Sequence, residues 1–503
     1  MASFTTLPLD IYHLILDKCY LRTIHHLTLT SKAIHPIATE YLYRNIHWGP
    51  GSHKSGWSCW NIQKLLHTLI HHPQLSSLVR KLSLDIPYER TFLYSHGGWE
   101  ADDGDIREYL EIVKPMGVGE LETWHVRLKQ NSYNTWIALL LTQLGSIEIL
   151  DLGLPLLHRA THLAQVVAYL IQIQPSQHFA RLHKVCLGRD EGFQILSLNV
   201  PCDLVIPFLH LPLLEELDLT MAAPRVKEWK GTTKSTLLRA LWLFHMRGLT
   251  AKDVRGFVAL APRLRELHLG WNEEIVGGHV GVDFVEVRSA LICISGSLEI
   301  LTFNNHWSAP LGSMKQFHAL KHLALPIELL IGVTPWERDA LSDVLPPNLQ
   351  SLRLIDDSMT WGQKEIGADG CTHDKHYLQD FIHVLSGYLP TREDHLHLRV
   401  VELDFSFAIS LSAVALDGNG EEGSILTWVQ ELRILAERGG VGLLMYFFHN
   451  WPNRQASTRT LVVSDANDRG REICKVMDTI CSERMAWDAD NPQRYLFDLM
   501  LDV

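Results

Sequence analysis

Leu214-Glu215-Glu216-Leu217-Asp218-Leu219 and Leu264-Arg265-Glu266-Leu267-His268-Leu269 share one pattern, L-x-x-L-x-L. The last two leucines are two residues apart, which is the side-chain period of a β-strand. Both therefore face one side of a short strand, and the residue between them faces the other. The first leucine comes from the preceding turn and closes the base of the unit. The pattern returns at Leu238/Leu241/Leu243, Leu320/Leu323/Leu325 and Leu349/Leu352/Leu354. Looser copies are Val79/Leu82/Leu84, Leu121/Trp124/Val126, Ile147/Leu150/Leu152, Leu182/Val185/Leu187, Leu298/Leu301/Phe303 and Leu398/Val401/Leu403. Leucine makes up roughly a sixth of the chain, so spacing weighs more than the number of copies. Positions 217, 241, 267, 301, 323 and 352 are 24, 26, 34, 22 and 29 residues apart.

Most of these intervals fall in the window of leucine-rich repeats, about 20–29 residues. A single unit cannot bury its own apolar face, and stacking against neighbours supplies the cover. The expected fold is α/β: an irregular leucine-rich-repeat solenoid with a parallel sheet on its concave face. Helical stretches at 250–260 and 285–294 would form the outer layer. Asp218, His268 and Arg353, each between two inward leucines, are then concave-face candidates for binding a target. A doubly wound α/β domain also alternates strands and helices. It would favour continuous apolar strands, whereas these copies interleave charged residues. Stretches 94–120, 356–376 and 417–424 are rich in Gly, Asp and Glu and read as exposed loops.

The chain has 503 residues, enough for a small module plus a large body. Hydrophobic residues at 46% and charged residues at 20% are globular composition. A net charge of -12 argues against wrapping a nucleic-acid backbone, where Lys and Arg must dominate. The eight cysteines form no C-x-x-C pair and are too sparse for a disulfide scaffold. The N-terminus lacks the basic region of a signal peptide, and no apolar run reaches membrane-span length. The reading is an intracellular chain, cytoplasmic and/or nuclear, without nucleic-acid or membrane partners. No P-loop, dinucleotide fingerprint, H-E-x-x-H or nucleophile elbow occurs. Cys371, His373 and His376, with His395 and His397 nearby, lack a full tetrahedral set at a familiar spacing. No catalytic residue, metal site or cofactor is expected.

The first residues form a different module. In LPLDIYHLILDKCYLRTIHHLTLTSKAIHPIATEYLYRNIHW (7–48), Pro8 suits a first helical position and Asp10 suits the positive end of the helix dipole. Ile11, Leu14, Ile15 and Cys19 follow as one apolar stripe. Ile24, Leu27 and Leu29 mark a second segment. Pro36 opens a third, with Ile37, Ala38, Tyr41 and Leu42 as its stripe. Three helices in about forty residues bury little apolar surface alone and want a partner.

This segment resembles an F-box, particularly of the kind found in fungal proteins. The resemblance rests on Leu7-Pro8, Ile11, Ile15, Leu27/Leu29, Ser31-Lys32 and Leu42-Tyr43-Arg44, about a tenth of the chain. Many family members place an acidic residue before the second helix, where this chain has Leu21-Arg22-Thr23. The resemblance implies a small helical bundle that binds a Skp-type adaptor and, through it, a cullin-RING ubiquitin ligase. By the same resemblance Leu7, Pro8, Ile11, Ile15, Leu27 and Leu29 face or support the adaptor. The expected organisation is an F-box module at 1–48, a linker helix at 49–78, the solenoid at 79–450 and a C-terminal cap at 451–503. The expected role is a non-catalytic substrate-recognition subunit holding an unidentified protein target. The alternative is a leucine-rich-repeat scaffold or structural binding protein without a ligase role.

Overall fold

The two leucines that close each L-x-x-L-x-L copy bury the same face of successive parallel strands. The structure is a computed structural model describing residues 7–48, 59–84, 102–157, 160–173, 178–188, 200, 202–220, 237–246, 249–271, 282–304, 310–326, 329–330, 344–356, 397–405, 432, 434, 436, 441–449 and 458–464. The chain divides into two units, Met1–Leu298 and Glu299–Val503. The class is mixed α/β.

In the first unit the strands are β1 (Asn45–Trp48), β2 (Lys81–Leu84), β3 (Ile149–Leu152), β4 (Lys184–Leu187), β5 (Glu216–Thr220), β6 (Ala240–Met246) and β7 (Glu266–Trp271). Each pairs in parallel with the next in chain order. Register aligns Ile46, Leu82, Leu150, Val185, Leu217, Leu241 and Leu267 in one row. All seven are buried. Leu84, Leu152, Leu187, Leu219, Leu243 and Leu269 make a second buried row. Each such side chain removed from water contributes about 1.5–3 kcal/mol.

The turn before each strand repeats as well. One carbonyl accepts two successive amides of the next copy. The Arg80 carbonyl takes Glu148 and Ile149 at 2.7 and 3.1 Å, and that of His183 takes Glu215 and Glu216 at 2.8 and 2.9 Å. The leading apolar residues Val79, Ile147, Leu182, Leu214, Leu238 and Leu264 are buried beneath these turns. Gly188, just after β4, has a φ of +88°. A Cβ built there would fall on the Thr220 carbonyl oxygen, so only glycine fits.

The second unit holds β8 (Ile300–Asn304), β9 (His322–Pro326), β10 (Ser351–Asp356), β11 (Val400–Phe405), β12 (Gly442–His449) and β13 (Thr458–Ser464). Strands β8 to β12 run parallel, and Leu301, Leu323, Leu352, Val401 and Leu443 share a register row. Strand β13 is antiparallel to β12. It lies in the segment expected as the C-terminal cap, 451–503, of which 458–464 are described.

Helices α1 (Leu9–Leu16), α2 (Leu21–Thr30) and α3 (His35–Arg44) precede β1, so the strand ladder begins inside the first 48 residues. The segment taken as a linker contains α4 (Cys59–His71), with Ile62, Leu66 and Leu69 buried. Among the described residues, three α-helices lie between β2 and β3: α5 (Asp103–Val113), α6 (Leu121–Lys129) and α7 (Tyr133–Gln143). Helix α4 packs on α7, and α7 on α8 (Thr161–Ile173), which packs on α9 (Cys202–Phe208). Further on, α10 (Ala251–Leu260) packs on α11 (Phe284–Leu291), the two helices expected at 250–260 and 285–294. Thr250 and Asp253 form a reciprocal capping box at the start of α10, which sets its first residue.

Two expectations are corrected. Leu121/Trp124/Val126 is helix α6 rather than a strand copy. Trp124 and Leu128 are buried while Leu121 and Val126 are exposed, a helical and not an alternating pattern. The described part of the 94–120 loop contains α5, capped by the Asp102 carboxylate accepting from the Gly104 amide at 3.1 Å. Its Ile106, Tyr109 and Val113 are buried at i, i+3 and i+7. The acidic residues that suggested a loop are those favoured in the first turn of a helix. Apart from Asp356, which ends β10, the loops expected at 356–376 and 417–424 lie outside the described residues.

Candidate functional site

Helix α1 is apolar on both sides. Tyr12 and Leu16 turn inward and join Ile24, Ile34, Ala38 and Tyr41 in a small core. Tyr41 fixes α3 to α1: His13 Nδ1 lies 2.9 Å from its hydroxyl, which also donates to the His13 carbonyl at 3.3 Å. Burial, then the negative charge of Asp17, raises the pKa of this phenol above its ordinary value. The phenol therefore stays protonated and remains a donor at neutral pH. Pro8 is the N-cap, with φ -57° and ψ 149°, one position before the first helical residue expected for it. Its extended ψ turns the chain into the helix, and its carbonyl accepts the first amides.

The other side of α1 has no cover among the described residues. Leu9, Ile11 and Leu14 are exposed, Leu14 by 63%. Tyr20 and Leu21, at the start of α2, and Leu29, near its end, are exposed by 86%, 49% and 71%. Half of the large apolar residues exposed among the described residues thus fall within the first 29 positions. Such concentration makes this a candidate interaction surface, whereas scattered exposed leucines carry no such meaning. Of the residues assigned to adaptor contact, Pro8, Ile11 and Leu29 are exposed, Ile15 is half-buried, and Leu7 and Leu27 pack against the small core. Leu9, Leu14, Tyr20 and Leu21 were not assigned. Their signal was a surplus of apolar side chains over what three short helices can enclose.

A second candidate surface lies on the face of the first unit's strands opposite the buried leucines. Asp218, Trp242 and His268 are cross-strand neighbours in register, each between two buried leucines. The Trp242 and His268 rings stack at 5.5 Å with an 8° interplanar angle. Phe244 lies 6.1 Å from His268. The Lys184 ammonium sits 5.7 Å from the centre of the Trp242 ring and 2.6 Å from Glu216 Oε2. Burial pushes the His268 pKa down, and the hydrogen bond that Glu266 accepts only partly opposes this. The His268 Nε2 lies 2.8 Å from Glu266 Oε1, which accepts its hydrogen bond. Trp242 went unassigned although it fills the variable position of its copy, where an aromatic residue is an anchor.

Arg353 is in the second unit, on β10 between the buried Leu352 and Leu354 and in register with Ala324 and Glu402. The structure thus joins Asp218 to His268 through Trp242 and leaves Arg353 in a separate unit. Among the described residues no group of three or more His, Cys, Asp or Glu side chains could hold a metal ion. Cys371, His373, His376 and His395 lie outside the described residues. No helix among the described residues is long and apolar enough to cross a membrane. A scan against protein-family models and a search of curated proteins each find no match to this chain.

Proposed function

We propose that this chain is the substrate-recognition subunit of a Skp-cullin-F-box ubiquitin ligase, a cullin-RING enzyme. The three N-terminal helices act as the F-box and receive a Skp-type adaptor. The strand ladders act as a leucine-rich-repeat-like solenoid, and residues between the buried leucines, including Asp218, Trp242 and His268, contact a protein target. The observation that carries this reading is the uncovered apolar side of α1 with the ends of α2, beside a core that already encloses Tyr12 and Leu16. A partner that inserts helices against such a surface gains affinity from a few apolar anchors. The chain supplies no chemistry of its own in this role. It raises the local concentration of a target beside a separately held ubiquitin-loading enzyme.

Co-expression with a Skp-type adaptor tests the reading. A stable complex that survives size-exclusion chromatography is expected. An adaptor that elutes apart from a folded chain would remove the ligase role and leave a repeat scaffold.

A further inference from the structure

A cavity of about 320 Å³ opens where the ends of α1 and α3 meet the first three strands of the first unit. Its lining is Asp17, Tyr41, Arg44, Asn45, Arg80, Lys81, Glu148 and Ile149. The strand register explains this gathering. Arg44, Arg80 and Glu148 occupy equivalent positions before β1, β2 and β3, with the Arg80 amide donating to the Arg44 carbonyl at 2.9 Å and the Glu148 amide to the Arg80 carbonyl at 2.7 Å. Asn45, Lys81 and Ile149 are the next row, in direct register.

The charges in this cavity do not cancel. Arg80 is committed: its Nε is 3.6 Å from Glu148 Oε1, and its Nη1 donates to the Ser146 carbonyl at 3.1 Å. That pair leaves Arg44 and Lys81 against the single carboxylate of Asp17. Arg44 places its guanidinium 5.9 Å from the centre of the Tyr41 ring, a contact that orients the fork without neutralising it. Among the described residues neither Arg44 nor Lys81 has an acidic group within ion-pair distance. Two cations facing one carboxylate across a partly enclosed space, beside an asparagine amide, leave one net positive charge and a donor arrangement for an oxyanion. Guanidinium supplies two parallel N–H groups and ammonium a point charge. The volume exceeds one phosphate and leaves room for the group that carries it.

We infer that this cavity binds a phosphate group, with Arg44 and Lys81 as its cationic contacts, Asn45 as a neutral donor and Asp17 as an opposing charge. The site is independent of the apolar surface on α1 and does not rest on the ligase reading. Asp17 makes it selective for strongly charged anions, because a weak one does not outweigh the resident carboxylate. Binding is electrostatic and weakens as salt is raised.

The test is calorimetric titration of the purified full chain with inorganic phosphate and, separately, with O-phosphoserine. Saturable binding is expected for at least one probe. A tighter fit to O-phosphoserine identifies a phosphomonoester as the ligand, and equal or tighter binding of inorganic phosphate identifies the free ion. Lys81→Gln and Arg44→Gln should each weaken binding by about tenfold, the size of one charge-assisted contact. Lys81→Arg should keep it. Asp17→Asn should tighten it severalfold, a gain that general damage to the fold cannot produce. Should either neutralising variant unfold, Lys81→Arg and Asp17→Asn still decide the matter. Absence of saturable binding to both probes in the folded wild-type chain, or an affinity indifferent to Asp17→Asn, would overturn the inference.

Discussion

Replacing Leu9, Leu14 and Leu29 together with alanine separates docking from folding. The three side chains are exposed by 55%, 63% and 71% in the free chain. Leu→Ala removes about three methylene equivalents, or about 2.4 kcal/mol when the leucine is fully buried. The fraction still open to water, and so available to a partner, is worth about 1.3, 1.5 and 1.7 kcal/mol at the three sites. If an adaptor covers all three, the triple variant loses about 4.5 kcal/mol of binding, roughly two-thousandfold in Kd. Folding should hardly notice, because exposed substitutions change stability by only about 0.5 kcal/mol each. Leu16→Ala is the contrasting control: this residue is 2% exposed in the small core, and its truncation should cost about 2–5 kcal/mol of stability. The assay is the adaptor affinity by biolayer interferometry, paired with urea unfolding of each variant. A triple variant that remains folded and loses less than tenfold in affinity would refute the assignment of this surface.

Leu217→Ala and Leu267→Ala, both fully buried in the same register row, should each lower the unfolding free energy by about 2–5 kcal/mol in chemical denaturation. Stabilities within 0.5 kcal/mol of wild type would mean these leucines are not the core; that threshold is roughly the scatter of surface changes. Gly188→Ala should destabilise by at least about 1–2 kcal/mol, the cost of a left-handed conformation, plus the clash with the Thr220 carbonyl. An unchanged midpoint would show that this close approach is absent. Burial lowers the pKa of His162, His178 and His268 below 6.5, with Arg127 adding to the effect at His162. The unfolded chain binds protons at these sites before the folded one does. Stability should therefore be fully present above about pH 6.5 and fall as pH drops below it. His268→Gln should flatten that slope in pH-dependent unfolding; an identical slope would remove His268 from the cause.

Leu217/Leu219 and Leu267/Leu269 reveal their strands in the amino-acid sequence because strand period is local: two residues apart is one face, whatever lies beyond. The same locality exposes the outer helices at 250–260 and 285–294. It fails at Leu121/Trp124/Val126, where three apolar positions fit a strand copy and a helix stripe alike. Only the burial of Leu128 one turn further on separates them. It also fails at Asp102 to Val113, where residues that cap a helix resemble those that populate a loop. For the candidate sites, the apolar surplus of residues 7–29 is present in the sequence, but its division into a core side with Tyr12 and Leu16 and an open side with Leu9 and Leu14 is not. That division depends on where α2 and α3 lie. The stacking of Trp242 on His268, and the meeting of Arg44 with Lys81, likewise join residues 26 and 37 positions apart. Parallel register alone brings them together, and register is a property of neighbouring strands, which no local stretch of chain contains.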